Sequence, residues 1–294
     1  MHVSRRLPPT IAWRLYHGLK LGEQPIPFID APARFGKARV SADGVDILDR
    51  CFAFHGCSEW AGLTLAGLFL AKGSRIFELG ANVGTETLNL AAIVGPGGRV
   101  VAVEPDPRCH ARLSERVTTN RLSQVTIVPM AINCREGPLT IISGPRSNSG
   151  MSHVVADSTC SDGVHVVATT LDSLSTKFGA PSYVWMDIEG YEFNALSGAN
   201  DVLSRDRPTI FSEIDTSHLE RAGSTLKALL TLVTDYRYVC FDASNWFLKP
   251  VNALPTSPYR SNWLLVPEEN VALIPQVRRM FVTLRILPQI WCSR

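Results

Sequence analysis

Two carboxylates carry the first chemical signal in this chain. Glu78 lies in the apolar run RIFEL, residues 75–79, and Glu104 follows the run RVVAV, residues 99–103. Between them stands GANVGT, residues 80–85. Gly80 and Gly84 bracket a turn where the backbone takes positive φ or lies close to a ligand, which glycine does without steric cost. Ala81, Asn82 and Thr85 complete a loop able to cradle a small molecule. The spacing is GxxxG, whereas a pyrophosphate-binding turn reads GxGxxG. A bare helix N-terminus attracts phosphate. Glu78 beside it opposes an anion and suits a cation, such as an amino acid that carries a sulfonium. A carboxylate at Glu104, with Pro105 next to it, can accept both hydroxyls of a ribose. Met130 and Ala131 follow VTIVP, residues 125–129, and would flank an adenine in this reading; ordinary core packing accounts for Met130 equally well. The alternative is a plain α/β turn with two acids near helix caps.

A second acidic pair, Asp187 and Glu189, precedes Gly190 at the end of YVWMD, residues 183–187. A carboxylate within reach of a hydroxyl can take its proton, and positioning the nucleophile supplies much of the rest. Asp187 could instead bind backbone amides of the neighbouring turn and only shape a pocket. Histidine as a residue type titrates near neutral pH, which makes His153, His165 and His218 rival candidates for the base. A divalent cation held by Asp187, Glu189 and Glu213 or Asp215 ranks below a metal-free site, because no diagnostic spacing accompanies those oxygens. Asp172 reads as the cap of a helix that begins near Ser173.

The elements that must position these residues alternate. RIFEL, RVVAV and VTIVP read as strands, with helices over 85–94 and from Pro107 to about Asn120 between them. That rhythm implies a parallel sheet with right-handed crossovers. A helix over 58–71, with Ser58 as its cap, precedes them. LTIIS (139–143) and VHVVATT (164–170) flank a polar stretch, 144–163, expected as a loop or lid. The rhythm resumes with a strand at 183–187, a helix at 191–204, a strand at 209–213 and a helix at 218–233. Late strands at 236–240 and 262–266 suit an antiparallel pair at the sheet edge. The fold class is therefore α/β, doubly wound and mostly parallel. Residues 1–57, rich in proline, read as an irregular N-terminal extension, 58–267 as the main domain and 268–294 as a basic and apolar tail.

Composition sets outer bounds. The chain has 294 residues, 45% apolar and 19% charged, with a net charge of +2, which describes a folded protein with a sizeable core. Charge so near balance demands no nucleic-acid partner. Seven cysteines include no CxxC pair, which fits reduced, buried thiols and a cytoplasmic location. Arg14, His17 and Lys20 interrupt the N-terminal apolar residues, so neither a secretory signal nor a span is expected there. Residues 271–294 carry Arg278, Arg279, Arg285 and Arg294 among apolar side chains, with Pro288 limiting any helix. Packing on the body is the favoured reading. Peripheral contact with an anionic membrane is the alternative. Oligomeric state is left open.

The ordered blocks FELGANVGTETL (77–88), VAVEPDP (101–107), ATTLDSL (168–174), MDIEGYEFNALSGA (186–199), PTIFSEID (208–215) and SNWLLVP (261–267) resemble the FkbM methyltransferase family. The resemblance implies a Rossmann-like, mostly parallel seven-stranded sheet with an antiparallel edge strand, similar to class I methyltransferases. It implies S-adenosylmethionine as cofactor, bound by Glu78, Gly80, Ala81, Asn82, Gly84, Thr85, Glu104, Pro105, Met130 and Ala131. It implies methyl transfer to oxygen on a small-molecule or carbohydrate acceptor such as a sugar, glycolipid or natural product, with Asp187 and Glu189 as catalytic residues. Two positions depart from it. The family commonly has Asp where Glu78 stands, and Lys where Trp185 stands. A nicotinamide-dependent oxidoreductase, which GANVG and Glu78 speak against, and a non-catalytic cofactor-binding scaffold are the rival readings.

Overall fold

A computed structural model describes residues 9–18, 29–42, 44–155, 163–244, 247–251, 253–256 and 258–286. The chain opens with helix α1 (Pro9–Gly18), an antiparallel hairpin of β1 (Ile29–Pro32) and β2 (Arg39–Ala42), and helix α2 (Ile47–His55). These described elements stand where an irregular extension is expected. Val40 and Ala42 are buried and alternate with exposed Arg39 and Ser41, the pattern of a half-buried strand. Asp46 caps α2 by accepting from Leu48 N at 3.1 Å, and Gly56 stops it at φ 79°. Helix α3 (Trp60–Phe69) begins later than expected. Its cap is Glu59, whose carboxylate accepts from Ala61 N at 2.9 Å, and Ser58 plays no such part.

The alternation then follows the sequence reading: β3 (Arg75–Leu79), α4 (Thr87–Val94), β4 (Arg99–Val103), α5 (Pro107–Thr119) and β5 (Val125–Val128). Asp106 caps α5, with Pro107 in its first turn. A separate four-stranded sheet comes next, built from β6 (Ala131–Ile132), β7 (Gly137–Ile142), β8 (His153–Val155) and β9 (Val164–Thr169) in the order β6-β9-β7-β8. Part of the polar stretch is thus strand β8; residues 156–162, and Cys160 with them, lie outside the described residues.

Helix α6 (Leu171–Phe178) is capped by Thr170, whose hydroxyl accepts from Ser173 N at 3.1 Å. Asp172 accepts instead from Asp201 N and Val202 N, at 3.1 and 2.9 Å, and so serves the next segment rather than its own helix. Strand β10 (Tyr183–Met186) and the short α7 (Glu192–Ser197) follow. The helix expected over 191–204 breaks after Ser197 and resumes as a wide turn at Val202–Asp206. After β11 (Thr209–Asp215), the helix expected over 218–233 is two: α8 (Thr216–Arg221) and α9 (Leu226–Asp235). Gly223 at φ 77° ends the first, and the Thr225 hydroxyl starts the second. The chain closes with β12 (Tyr238–Asp242), β13 (Lys249–Pro250), β14 (Arg260–Pro267) and α10 (Ile274–Ile286).

The large sheet has the order β13-β12-β14-β11-β10-β3-β4-β5. The seven expected strands are all present, and β13, two residues long, adds an eighth at the edge. The antiparallel strand β14 lies inside, between β11 and β12. The α8–α9 crossover leaves a gap one strand wide there, and the returning chain fills it. Alternate residues of β3 and β10 face opposite cores. Ile76 and Trp185 pack with Leu63, Leu90 and Phe211 on one side. Phe77 and Val184 pack with Leu196, Leu203 and Leu229 on the other.

On α10, Ile274, Val277, Phe281 and Leu284 are buried, and the Phe281 ring stacks on Trp60 at 6.2 Å. The apolar face of this helix therefore rests on the body. Pro288 and Arg294 lie outside the described residues. Among the described residues, no helix is long and apolar enough to cross a membrane.

A buried ion network fixes α2 against α5. Asp49 accepts from Arg112 at 2.7 Å and from Arg116 at 2.5 Å, and Arg112 also reaches Asp46 at 2.9 Å. Arg116 donates to Val83 O at 2.8 Å, which carries the network into the glycine turn. Removing one partner of a buried pair strands the other charge. Asp49→Ala should therefore destabilise the protein by about 3–5 kcal/mol in urea denaturation. A loss of less than about 1 kcal/mol, the range of an exposed pair, would show that the network is dispensable.

Candidate active site

A cleft of about 600 Å³ opens at the carboxyl ends of β3, β4, β10 and β11, with one wall from α2 and another from residues 148–154. Crevices at this end of a parallel sheet are where open α/β folds bind ligands.

The floor is the glycine turn. Gly80 takes φ 82°, and a Cβ there would stand 1.9 Å from the carbonyl oxygen of Asp187. Gly80 N and Ala81 N both donate to Val103 O at 3.0 Å, while Asp187 N donates to Leu79 O at 3.0 Å. These bonds hold the two acidic strand ends side by side. Asn82 adopts φ 47°, a conformation that asparagine tolerates better than most residues. Gly84, at φ 85°, leaves no room for a side chain against Leu113 and supports the turn from outside the cleft.

Glu78 and Glu104 both line the cleft and are both buried. Glu104 accepts from Asn82 N at 2.7 Å and from Asp106 N at 2.8 Å, one amide on each oxygen. Burial still pushes its carboxyl up to about 7. Glu78 is almost wholly buried, and the Thr87 hydroxyl is the group that favours its charged form. Burial, with repulsion from Glu86 and Glu104 added, raises it well above the ordinary carboxylate range. Ala81, Asn82, Thr85, Pro105, Met130 and Ala131 complete this half of the lining.

Some lining residues carry no motif in the sequence. Asn82 Nδ2 donates to Ser149 O at 2.9 Å, and the Ser149 hydroxyl donates to Asp46 at 2.6 Å. These bonds hold residues 148–152 and α2 over the turn. Glu86, buried, and Glu59, half-buried, add two more carboxyls to the lining. Trp185 lines the cleft with its ring 4.7 Å from Phe211, and the pair fits because residue 62 is glycine: a Cβ there would stand 2.6 Å from both rings.

At the mouth, Asp187, Glu189, Glu213, His218, Arg221 and Arg260 converge. His218 Nδ1 lies 2.8 Å from Glu189 Oε2. That approach depends on Gly190 at φ 105°, where a Cβ would stand 2.2 Å from His218 O. Arg221 donates to Glu189 O at 2.8 Å, and Arg260 pairs with Glu213. Burial, then Glu213, pushes Glu189 up to about 7. Burial, then Glu213 and Glu189, raises Asp187 well above its usual range. Burial lowers His218, so the imidazole tends to be neutral. The other rivals differ in position. His153 lines the cleft but is held by Met151 O at 2.9 Å. His165 sits on β9 beside Thr140, away from the lining. Asp215 caps α8 through Ser217 N at 2.8 Å. Among the described residues, no three His, Cys, Asp or Glu side chains are grouped to hold a metal ion.

These carboxyls make a pH prediction. Glu104, Glu189 and Glu192 are each raised from 4.5 to about 7 in the folded protein. A raised carboxyl stabilises the fold fully below its unfolded value, and that contribution is lost as pH rises through the folded one. Stability of the ligand-free protein in urea should therefore fall between pH 4.5 and about 7, and Glu104→Gln should flatten part of that slope. A wild-type profile that rises across this window would contradict the burial described.

Comparison with known proteins gives the site its context. Residues 78–240 match the methyltransferase FkbM domain. A curated relative, the 2-O-methyltransferase NoeI of Sinorhizobium fredii (strain NBRC 101917 / NGR234), is 24% identical over 184 residues, covering 56% of this chain and 72% of that protein. Solved structures with partial likeness include a precorrin-6y C5,15-methyltransferase from Geobacter metallireducens GS-15, at 13% identity, TM-score 0.40, 70% of this chain and 87% of that one. An O-methyltransferase from Bacillus cereus in complex with SAH matches at 13% identity and TM-score 0.39, over 71% and 81% of the two chains. The family match runs from Glu78 to Cys240 within β12 and spans more than half of the chain, which belongs to the FkbM methyltransferase family.

Proposed function

We propose that this methyltransferase uses S-adenosylmethionine to methylate a hydroxyl oxygen on a small-molecule or carbohydrate acceptor. The observation that carries the reading is one cleft with two kinds of carboxyl: Glu78 and Glu104 inside, and Glu189 paired with His218 at the mouth. The residues present fit the cofactor. Glu78 offers a buried carboxyl in the lining to a cationic group. Glu104 keeps a free lone pair on each oxygen for ribose hydroxyls after accepting one amide on each. Met130 and Ala131 would flank the adenine. When bound, the cofactor supplies a methyl group on a positively charged sulfur that departs with the bonding electrons. The name of the curated relative, a 2-O-methyltransferase, supports oxygen as the acceptor atom.

The chain's own residues do the rest. Glu189 takes the hydroxyl proton as the oxygen bonds to carbon. His218 Nδ1 holds the Glu189 carboxylate in place, and Arg221 fixes the same turn through its backbone. Asp187 and Trp185 wall the acceptor side. Residues 58–267 form the catalytic domain in this reading. Ile47, Leu48 and Cys51 reach the cleft from α2, so the N-terminal extension completes the site.

Incubation with methyl-labelled S-adenosylmethionine and a panel of mono- and oligosaccharides should transfer label to an alkali-stable ether. With an acceptor in hand, kcat should rise with pH through about 7 as Glu189 ionises. Glu189→Gln should lower kcat roughly a hundredfold or more, the size of a general-base contribution, and leave cofactor affinity unchanged. A variant with wild-type kcat would remove Glu189 from the mechanism.

A further inference from the structure

Charge is shared unevenly along the chain. Residues 1–22 carry Arg5, Arg6, Arg14 and Lys20, and residues 270–294 carry Arg278, Arg279, Arg285 and Arg294. Neither stretch has an aspartate or a glutamate. The stretch between them holds 21 basic residues against 27 acidic ones and is net negative, although the whole chain is +2. The two basic stretches are far apart in sequence, and the fold joins them: α1 and α10, their described parts, pack against each other.

The two helices form an outer layer. Tyr16 of α1 sets its ring 5.3 Å from those of Phe54 and His55 on α2, and Phe281 of α10 stacks on Trp60 of α3. Ala12 and Tyr16 are buried on the inner side of α1, as are Ile274, Val277, Phe281 and Leu284 on that of α10. What faces outward is mixed. Ile11, Arg14 and Leu15 are exposed on α1, at a spacing that puts them on one helix face. Ile11 and Leu15 are 47% and 42% exposed, and Leu273, at the start of α10, is 47% exposed. Arg278 turns to the body and donates to Leu248 O at 3.2 Å, whereas Arg279 is exposed.

Exposed aliphatic side chains beside basic ones gain from a partner that takes both. The phosphates of a nucleic acid would engage the arginines and leave Ile11 and Leu15 unused. An anionic bilayer accepts aliphatic side chains at the headgroup boundary and attracts the arginines to its phosphates. We propose that the layer formed by α1 and α10 docks on an anionic lipid surface, with Ile11 and Leu15 in the interface and Arg14 and Arg279 on lipid phosphates. The proposal does not depend on the methyl-transfer reading. It does concern the same wall of the molecule: the Tyr16 hydroxyl also accepts from Cys51 Sγ at 3.6 Å, and Cys51 lines the cleft, so the docking layer backs onto the site.

Cosedimentation of the full chain with vesicles tests this. The wild type should bind vesicles that contain phosphatidylglycerol, lose them at high salt, and ignore vesicles of phosphatidylcholine alone. Arg14→Gln combined with Arg279→Gln should weaken binding about tenfold or more, since each basic side chain near such a surface contributes about 1 kcal/mol. Ile11→Ser combined with Leu15→Ser should weaken it as well, which contact with a polyanion alone would not require. All four positions are exposed, so thermal midpoints should stay at the wild-type value. Wild-type protein that ignores the anionic vesicles would overturn the proposal whatever the variants do. So would vesicle binding unchanged in both pairs, or duplex DNA bound as tightly as the vesicles with the serine pair affecting neither. A wild-type dimer in sedimentation velocity that the serine pair dissociates would also overturn it, because a second copy would then cover this face.

Discussion

The contact between Gly80 and the carbonyl of Asp187 is the constraint on which the site depends. Strands β3 and β10 are neighbours in register, with Glu78 beside Trp185 and Leu79 beside Met186. Past their ends the two chains stay so close that a single methyl group at residue 80 would overlap the Asp187 oxygen. The glycine turn and the acid turn are therefore one structural unit. A second close approach repeats the device, since Gly190 lets α8 bring His218 onto Glu189. Both glycines serve the same end: they remove a side chain so that two polar backbones can share one rim.

The consequence is a cleft built around carboxyls whose ionisation burial opposes. Glu78, Glu86, Glu104, Asp187 and Glu189 are each raised, with burial the leading cause in every case. Such groups cost stability and persist where function uses them. A cationic cofactor and a hydroxyl acceptor would use the two halves differently. The inner carboxyls gain from a positive charge and the outer pair from a proton it can take. The Asp49 network and the Asp46–Ser149–Asn82 bonds hold this arrangement closed from the N-terminal side.

Much of this was legible in residues 75–267. The GANVG turn, its two flanking acids and the DIEG turn announce themselves because glycine spacing and acidic strand ends are local signals. The strand–helix alternation is legible for the same reason, since apolar runs and their breakers lie within a few residues. What escaped depends on distance. Glu86 and Glu59 look like ordinary helix-start acids until Ser58 and Glu59 amides are seen to fold onto Glu86. Residues 29–55 looked irregular because four-residue strands and a nine-residue helix give weak periodicity. Their ordering comes from Arg112 and Arg116, far along the chain. The helix breaks at Ser197 and Gly223, and the transfer of capping from Asp172 to Thr170, turn on choices between neighbouring residues that tertiary contacts decide. His218 was one histidine among several until Gly190 brought it to Glu189.

The central claim is that the cleft between Glu78 and Glu104 recognises a sulfonium nucleoside and not a dinucleotide. Calorimetric titration of the wild type and of Glu104→Ala with S-adenosylmethionine and with NADH tests it most directly. The account predicts that S-adenosylmethionine binds the wild type, that NADH does not, and that binding is lost in the variant. Binding of NADH alone, or of S-adenosylmethionine with equal strength to both proteins, would contradict it.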